Sequence, residues 1–222
     1  MTSNKLGIIF LHGLGDGDLS FKDTIQHEWN LAPLSVHWRF PMTPQSPVTV
    51  YGGEVAPNWF DMDTLPVRAG DKEKPSDIEK SVQRVHNEIK ALEEEGVPPE
   101  RIFVSGFSQG GAMSMQSGLT YPKKIGGIIC LSGWLLREDT FSPTQTDVPL
   151  LWWHGTQDNV VLTNLQPRGI ERLQKLGVSN ITVKQSPMGH SSHPDQMSFI
   201  PKWIKEIVSR TTGGGNTGGG DL

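Results

Sequence analysis

Cysteine is almost absent: Cys130 is the only one in 222 residues. A lone thiol closes no intrachain disulfide, which excludes a small disulfide-stapled scaffold. It lies in the apolar run Ile128-Ile129-Cys130-Leu131, where a buried thiol is expected. Long hydrophobic runs are missing as well, and nothing approaches the roughly 20 apolar residues of a membrane span. Neither sign of charge dominates. Lys and Arg number 20 against 24 Asp and Glu, a net charge of −4 without a basic stripe, so nucleic acid is not an expected partner. Metal-ligand spacing is lacking too. Among seven histidines there is no His-x-x-x-His pair on a helix and no Cys/His pair, so neither a metal nor another cofactor is expected. Met1-Thr2-Ser3-Asn4-Lys5 shows no charged, then apolar, leader pattern, which makes the cytoplasm the expected compartment. No composition shift divides the chain. Residues 1–210 read as one catalytic domain and the Gly-rich residues 211–222 as a flexible tail.

What is present is an alternation of short apolar runs and amphipathic stretches. Gly7-Ile8-Ile9-Phe10-Leu11 reads as a buried strand emptying into His12-Gly13-Leu14-Gly15-Asp16-Gly17. Val36-His37-Trp38-Arg39-Phe40 is a second strand, halted by Pro41. The proline-rich stretch to Pro57 reads as an irregular surface excursion, and Asn58-Trp59-Phe60-Asp61-Met62 fits either a short strand or a turn. Ser76-Asp77-Ile78-Glu79 has the form of a capping box. Ile78, Val82, Val85, Ile89 and Leu92 then form one helical face, closed by Gly96, and His86 lies at its flank with no chemical role expected. Further strands are expected at residues 101–105, 125–131, 149–155 and 180–184. Helices are expected after Ser108, from Leu165 to a stop at Gly177, and near the carboxyl end, where Pro201 suggests a late start. This alternation predicts an α/β fold with a mostly parallel central sheet flanked by helices on both faces. In such a sheet His12, Ser108, Ser132, Asp158 and His190, each following a strand run, share the carboxyl-terminal edge.

The organising segment is Gly106-Phe107-Ser108-Gln109-Gly110, a Gly-x-Ser-x-Gly pattern between a strand and a helix. A serine there sits on a sharp, strained turn with its hydroxyl pushed clear of the sheet. The pentapeptide alone is a weak signal; its context and partners give it weight. A serine hydroxyl needs a base in reach and a third group to orient that base. Ser108, Asp158 and His190 follow in the chain order of α/β-hydrolases. Gly189 favours His190 over His193 as the base, and His154 beside Gly155 reads as structural. Asp147 precedes a strand and so falls at the wrong edge, while Asp195 reads as a helix cap. For the oxyanion, the Gln109 amide at the helix start and the Leu14 amide after the first strand are the expected donors.

With those residues in place the chain resembles the acyl-protein thioesterase and lysophospholipase-like carboxylesterase family. The matching segments are Phe10-Leu11-His12-Gly13-Leu14-Gly15-Asp16, Trp59-Phe60-Asp61, Gly106 through Ser114, Leu131-Ser132-Gly133-Trp134-Leu135, His154-Gly155-Thr156-Gln157-Asp158 and Gly189-His190. The resemblance runs in order over residues 5–208. It implies a cofactor-free serine hydrolase that removes long-chain, typically palmitoyl, groups from S-acylated proteins and also cleaves lysophospholipid or small esters. It further implies that Ser108, Asp158 and His190 form the triad, that Leu14 and Gln109 donate to the oxyanion, and that Leu65, Trp134 and Leu135 line an acyl groove. A monomer or weak homodimer with at most transient membrane-surface contact is expected of such an enzyme. Three departures stand out, one of them a remodelled stretch from Gln45 to Ala56. No cysteine lies near the amino terminus to carry an acyl anchor, and Gly17-Asp18-Leu19-Ser20-Phe21 stands where the family usually has a tryptophan.

Overall fold

The computed structural model describes residues 4–16 and 20–213. Six strands, β1 (Lys5–Leu11), β2 (Ser35–Arg39), β5 (Ile102–Phe107), β6 (Gly127–Leu131), β7 (Leu150–Gly155) and β8 (Ile181–Ser186), form one sheet in the order β2-β1-β5-β6-β7-β8. Every pairing is parallel, as the alternating pattern predicts. The remaining strands, β3 (Gln45–Val48) and β4 (Glu54–Pro57), pair antiparallel outside the sheet.

The parity of the strand residues shows why the runs are continuously apolar. On β1, Ile9 and Leu11 join the core under helices α2 (Pro75–Glu94), α3 (Gln109–Thr120) and α4 (Leu165–Lys175). Leu6, Ile8 and Phe10 point the other way, into the core beneath α1 (Ser20–Glu28) and α5 (Pro194–Gly213). β6 and β7 repeat this, with Cys130 and Trp152 on the first side and Leu131 and Trp153 on the second. A sheet covered on both faces has no solvent side to demand polar residues. The chain leaves β1 toward β2 on one side, while β5 continues toward β6 on the other. The β1/β5 boundary is therefore the switch point at which open α/β sheets form their binding crevice.

Four local readings need correction. The stretch before Pro57 is not irregular: β3 and β4 make a hairpin, in which Pro47 pairs with Val55 and Pro57 with Gln45. A two-stranded ribbon has free edges, where a residue lacking N–H is tolerated. α2 has no capping box. It begins at Pro75, so Ser76 lies inside the first turn, and Lys74 occupies the cap position without a side-chain bond to the helix amides; proline at the first helical position is preset for the helix. α5 starts at Pro194 and carries Pro201 inside it, extending to Gly213, so residues 211–213 are helical, and residues 214–222 of the expected tail lie outside the described residues. At its start Gln196 accepts from the His193 amide and His193 accepts from the Asp195 amide, so the capping is done by these side chains and not by Asp195. α1 was unanticipated, although Phe21, Ile25 and Trp29 recur every four residues and pack on the β1 side. Residues 58–62 form a bend between β4 and the following loop, not a strand. Residues 17–19, within the segment that departs from the family pattern, lie outside the described residues.

Candidate active site

β5 ends at Phe107, and Ser108 follows with φ 56° and ψ −120° before α3 begins at Gln109. Positive φ in a non-glycine residue costs energy, so the surroundings must enforce it. The Ser108 amide donates to Leu131 O at 2.8 Å, and its carbonyl accepts from the Ala112 amide at 3.0 Å. The flanking glycines make the turn sterically feasible. A Cβ on Gly106 would lie 2.3 Å from Gly110 O, and one on Gly110 would lie 2.2 Å from Leu11 O.

The Ser108 hydroxyl lies 2.9 Å from His190 Nε2, and His190 Nδ1 lies 2.7 Å from Asp158 Oδ2. These three residues come from loops after β5, β7 and β8, brought to one edge by the parallel sheet. Asp158 is buried, and its other oxygen accepts from the Val160 and Val161 amides, both at 2.9 Å. Burial pushes its carboxyl up, but the bonds from His190 and those amides outweigh it and hold the pKa below the ordinary value. A carboxylate only accepts. His190 therefore carries its proton on Nδ1 and offers Nε2 to the serine. The Phe107 ring packs against the His190 ring at a 40° tilt, with centroids 4.7 Å apart.

The rival residues stand apart. His193 contacts Asp195 at the start of α5. Asp147 pairs with Lys124 ahead of β7. His154 donates through Nε2 to Val161 O at 2.9 Å and sits 3.5 Å from Asp158 Oδ2, so it braces the loop that carries Asp158; burial lowers its pKa. His86 bonds Ser117 O from α2. Ser132, buried just after β6 with φ 49°, has no hydrogen-bond partner for its hydroxyl among the described residues. Among the described residues, no group of three or more His, Cys, Asp or Glu is arranged to hold a metal ion.

The loop after β1 is held rigidly. Asp16 accepts from the Gly13 amide at 3.0 Å, and the Gly15 amide donates to Pro57 O at 2.9 Å. His12 is buried behind it, a role its sequence position did not disclose. The Thr43 amide donates to His12 Nε2 at 3.3 Å, which leaves Nδ1 protonated and donating to Gly13 O at 2.7 Å. Burial lowers the His12 pKa, in keeping with that neutral ring. Trp59 packs on His12 and donates from its indole to His12 O at 2.9 Å. The Gln109 side chain spans to the same segment, accepting from the Trp59 amide at 2.8 Å and donating to Phe60 O at 2.7 Å. Neither the Leu14 nor the Gln109 amide has a backbone acceptor among the described residues; for Gln109 this is the orphan donor of a first helical residue.

A cavity of about 170 Å³ opens beside Ser108 and His190, walled by Leu14, Tyr51, Met62, Leu65, Val67 and Phe107. Leu65 is among these walls; Trp134 and Leu135 are not. They wall a second cavity of about 290 Å³ together with Arg68 and Leu165. Between the two runs a short parallel bridge in which the Val67 amide donates to Val160 O at 2.7 Å and the Leu162 amide to Val67 O at 3.3 Å. No residue lines both cavities. Tyr51, Met62 and Val67 escaped the sequence reading because they lie in the hairpin and strap of residues 41–75, which have no periodicity to mark an inward side.

A parallel sheet with a strained serine at its switch point and an imidazole–carboxylate pair beside it defines an α/β-hydrolase. Comparison with known proteins narrows the class. Residues 3–208 match the phospholipase/carboxylesterase family model. The chain is 38% identical over 207 residues to a probable carboxylesterase of Oryza sativa subsp. japonica, covering 91% of this chain and 77% of that protein. It is 34% identical over 213 residues to acyl-protein thioesterase 1 of Gibberella zeae, covering 90% and 89%. The crystal structure of Arabidopsis thaliana SOBER1 superposes with a TM-score of 0.84 at 34% identity, over 92% of this chain and 99% of that one. The chain belongs to the phospholipase/carboxylesterase family and is a serine hydrolase of acyl esters or thioesters. No helix among the described residues is long and apolar enough to cross a membrane.

Proposed function

We propose that Ser108 is the nucleophile, His190 the general base and acid, and Asp158 the group that orients the imidazole. The observation that carries this is the continuous pair of bonds from Ser108 Oγ to His190 Nε2 at 2.9 Å and from His190 Nδ1 to Asp158 at 2.7 Å. As Ser108 Oγ attacks the acyl carbon its proton passes to His190 Nε2, and the carbonyl electron pair moves onto oxygen. The Leu14 and Gln109 amides receive that oxyanion, the usual place for the largest contribution to rate. Collapse expels the thiolate or alkoxide, which takes the proton from His190 and leaves an acyl-Ser108 ester. A water then gives its proton to His190 and attacks the acyl carbon. The second collapse returns the proton to Ser108 and releases the carboxylic acid.

The cavity supports a reading of the substrate. Its 170 Å³ is close to the ~150 Å³ that holds a benzene-sized guest. A cavity of this size supports short acyl groups while the Leu65–Val67 strap keeps its bridge to Val160–Leu162. The geometry favours a carboxylesterase or thioesterase for short acyl groups, on small esters or S-acylated proteins, without a cofactor. Long-chain depalmitoylation is the second reading, favoured by the similarity to acyl-protein thioesterase 1, and it requires the chain to lie along the open mouth past Leu65. A lone, buried Cys130, whose thiol burial pushes far up, suits a reducing cytoplasm. One series decides between the readings: hydrolysis rates of acetyl, butyryl, octanoyl and palmitoyl thioesters and oxyesters under one set of conditions. A maximum at short chains is expected; a maximum at palmitoyl favours the second reading, and no hydrolysis of any member refutes both.

A further inference from the structure

The largest of the cavities described lies away from Ser108, between the base of the β3–β4 hairpin and the amino-terminal half of α2. It measures about 440 Å³ and shares no lining residue with the 170 Å³ pocket. Three cations reach it: Lys74, Lys80 and Arg84. Lys74 is committed to Asp61. Lys80 and Arg84 lie one turn apart on the same helix face. Neither has a hydrogen-bond or ion-pair partner among the described residues.

The nearby acids explain why these two charges stay unneutralised. Glu79 on α2 turns to Arg137 at 3.1 Å, and Glu88 to Arg39 at 3.8 Å. Asp61 accepts from the Thr49 amide and hydroxyl, both at 2.7 Å, as well as from Lys74. Against the upward push of burial, those bonds bring its pKa down to about 2, the mark of a carboxylate already saturated with donors. Asp77 is the remaining acid in the cleft, and it contacts the Ser76 hydroxyl at 3.5 Å but neither free cation. The lining thus carries three cations against two carboxylates in a protein whose net charge is −4. Ser46 adds a hydroxyl, while Pro44 and Pro47 supply apolar wall.

We propose that this cleft binds a phosphate monoester, with the phosphate held between Lys80 and Arg84 and its organic part against Pro44 and Pro47. A dianionic group matches two cations a turn apart, and the guanidinium fork pairs two phosphate oxygens at once. A cleft of 440 Å³ has room for more than the phosphate alone. The source of the phosphate is either a soluble ester or a lipid headgroup.

The test reads binding, so it is independent of hydrolysis at Ser108, and the Ser108→Ala protein is expected to give the same result. Amide resonances of Thr43, Gln45, Ser46 and residues 58–61 and 77–84 are followed during titration with inorganic phosphate, against sodium chloride at matched ionic strength. Expected are saturable shifts confined to these segments, with affinity at least tenfold weaker in Lys80→Ala/Arg84→Ala. Both side chains are exposed, so this variant is expected to fold. Co-sedimentation with phosphatidate vesicles in excess of phosphatidylcholine vesicles, lost in the variant, assigns the lipid headgroup. Saturable phosphate binding without vesicle preference assigns a soluble ester. Absence of saturable shifts, or equal affinity in the variant, overturns the proposal.

Discussion

The rim of loops at the strand ends and the excursion over residues 41–75 are built by opposite means. On the rim, each reactive side chain is fixed by the sheet: Ser108 by the β5–α3 turn, Asp158 by two amides of its own loop, and His190 between them. In the excursion, one hairpin and one strap are tied down by a few bonds across long sequence separations, such as Gln109 to Trp59 and Val67 to Val160. On the mechanism proposed, the rim decides whether a bond is broken and the excursion decides what reaches it.

The largest effect that separates them is loss of the nucleophile. Ser108→Ala is expected to lower turnover of a short-chain ester on the order of a million-fold, and Asp158→Asn about ten-thousand-fold, with folding unchanged by circular dichroism. Parent-level turnover in either would break the assignment of chemistry to the rim. Mutations in the strap are expected to act on selectivity instead. Val67 is buried and walls the Ser108 cavity, so Val67→Ala should raise the palmitoyl-to-butyryl ratio of kcat/KM about tenfold, the worth of one or two methylenes in an apolar pocket. Trp134→Phe, in the other cavity, is expected to leave that ratio unchanged; a comparable change there would show that the two cavities act as one.

Stability should respond to pH through the two supporting histidines. His12 and His154 are held neutral by burial, with pKa values below the free value of about 6.5. The unfolded chain then binds more protons than the native one as pH falls below about 6.5, so stability is complete above that pH and is lost toward the native pKa values. The slope reaches at most about 1.4 kcal/mol per pH unit per histidine. Denaturant unfolding at pH 7.5 and 5.5 checks this, and equal stability at both would contradict buried neutral rings. The smallest effect is expected from Asp147→Asn. Its exposed pair with Lys124 should be worth less than about 1 kcal/mol, and turnover should not change, in contrast to Asp158→Asn.

The same contrast explains how much of this was legible in the sequence. Parallel strands buried on both faces write themselves as continuous apolar runs, and reactive residues follow those runs directly, so residues 108, 158 and 190 could be named before any coordinates. The glycines at 106 and 110 were readable because a Cβ there meets main chain. The excursion left no such trace. β3 and β4 contain Pro47 and Pro57, and residues that discourage strands hid a hairpin whose ladder needs few of their amides. Trp134 and Leu135 were expected at a groove from the family resemblance alone; they line a different cavity from Ser108, and the bridge through Val67, made of two long-range hydrogen bonds, has no local signature. α1 was readable in principle from Phe21, Ile25 and Trp29, but three apolar positions among polar residues make a weak period.

Labelling with a fluorophosphonate, followed by peptide mass mapping, tests most directly whether Ser108 is activated by its neighbours. Expected is a single stoichiometric adduct on the peptide carrying Ser108, slowed by orders of magnitude in His190→Ala. An unlabelled protein, an adduct on a different serine, or undiminished labelling in His190→Ala would contradict it.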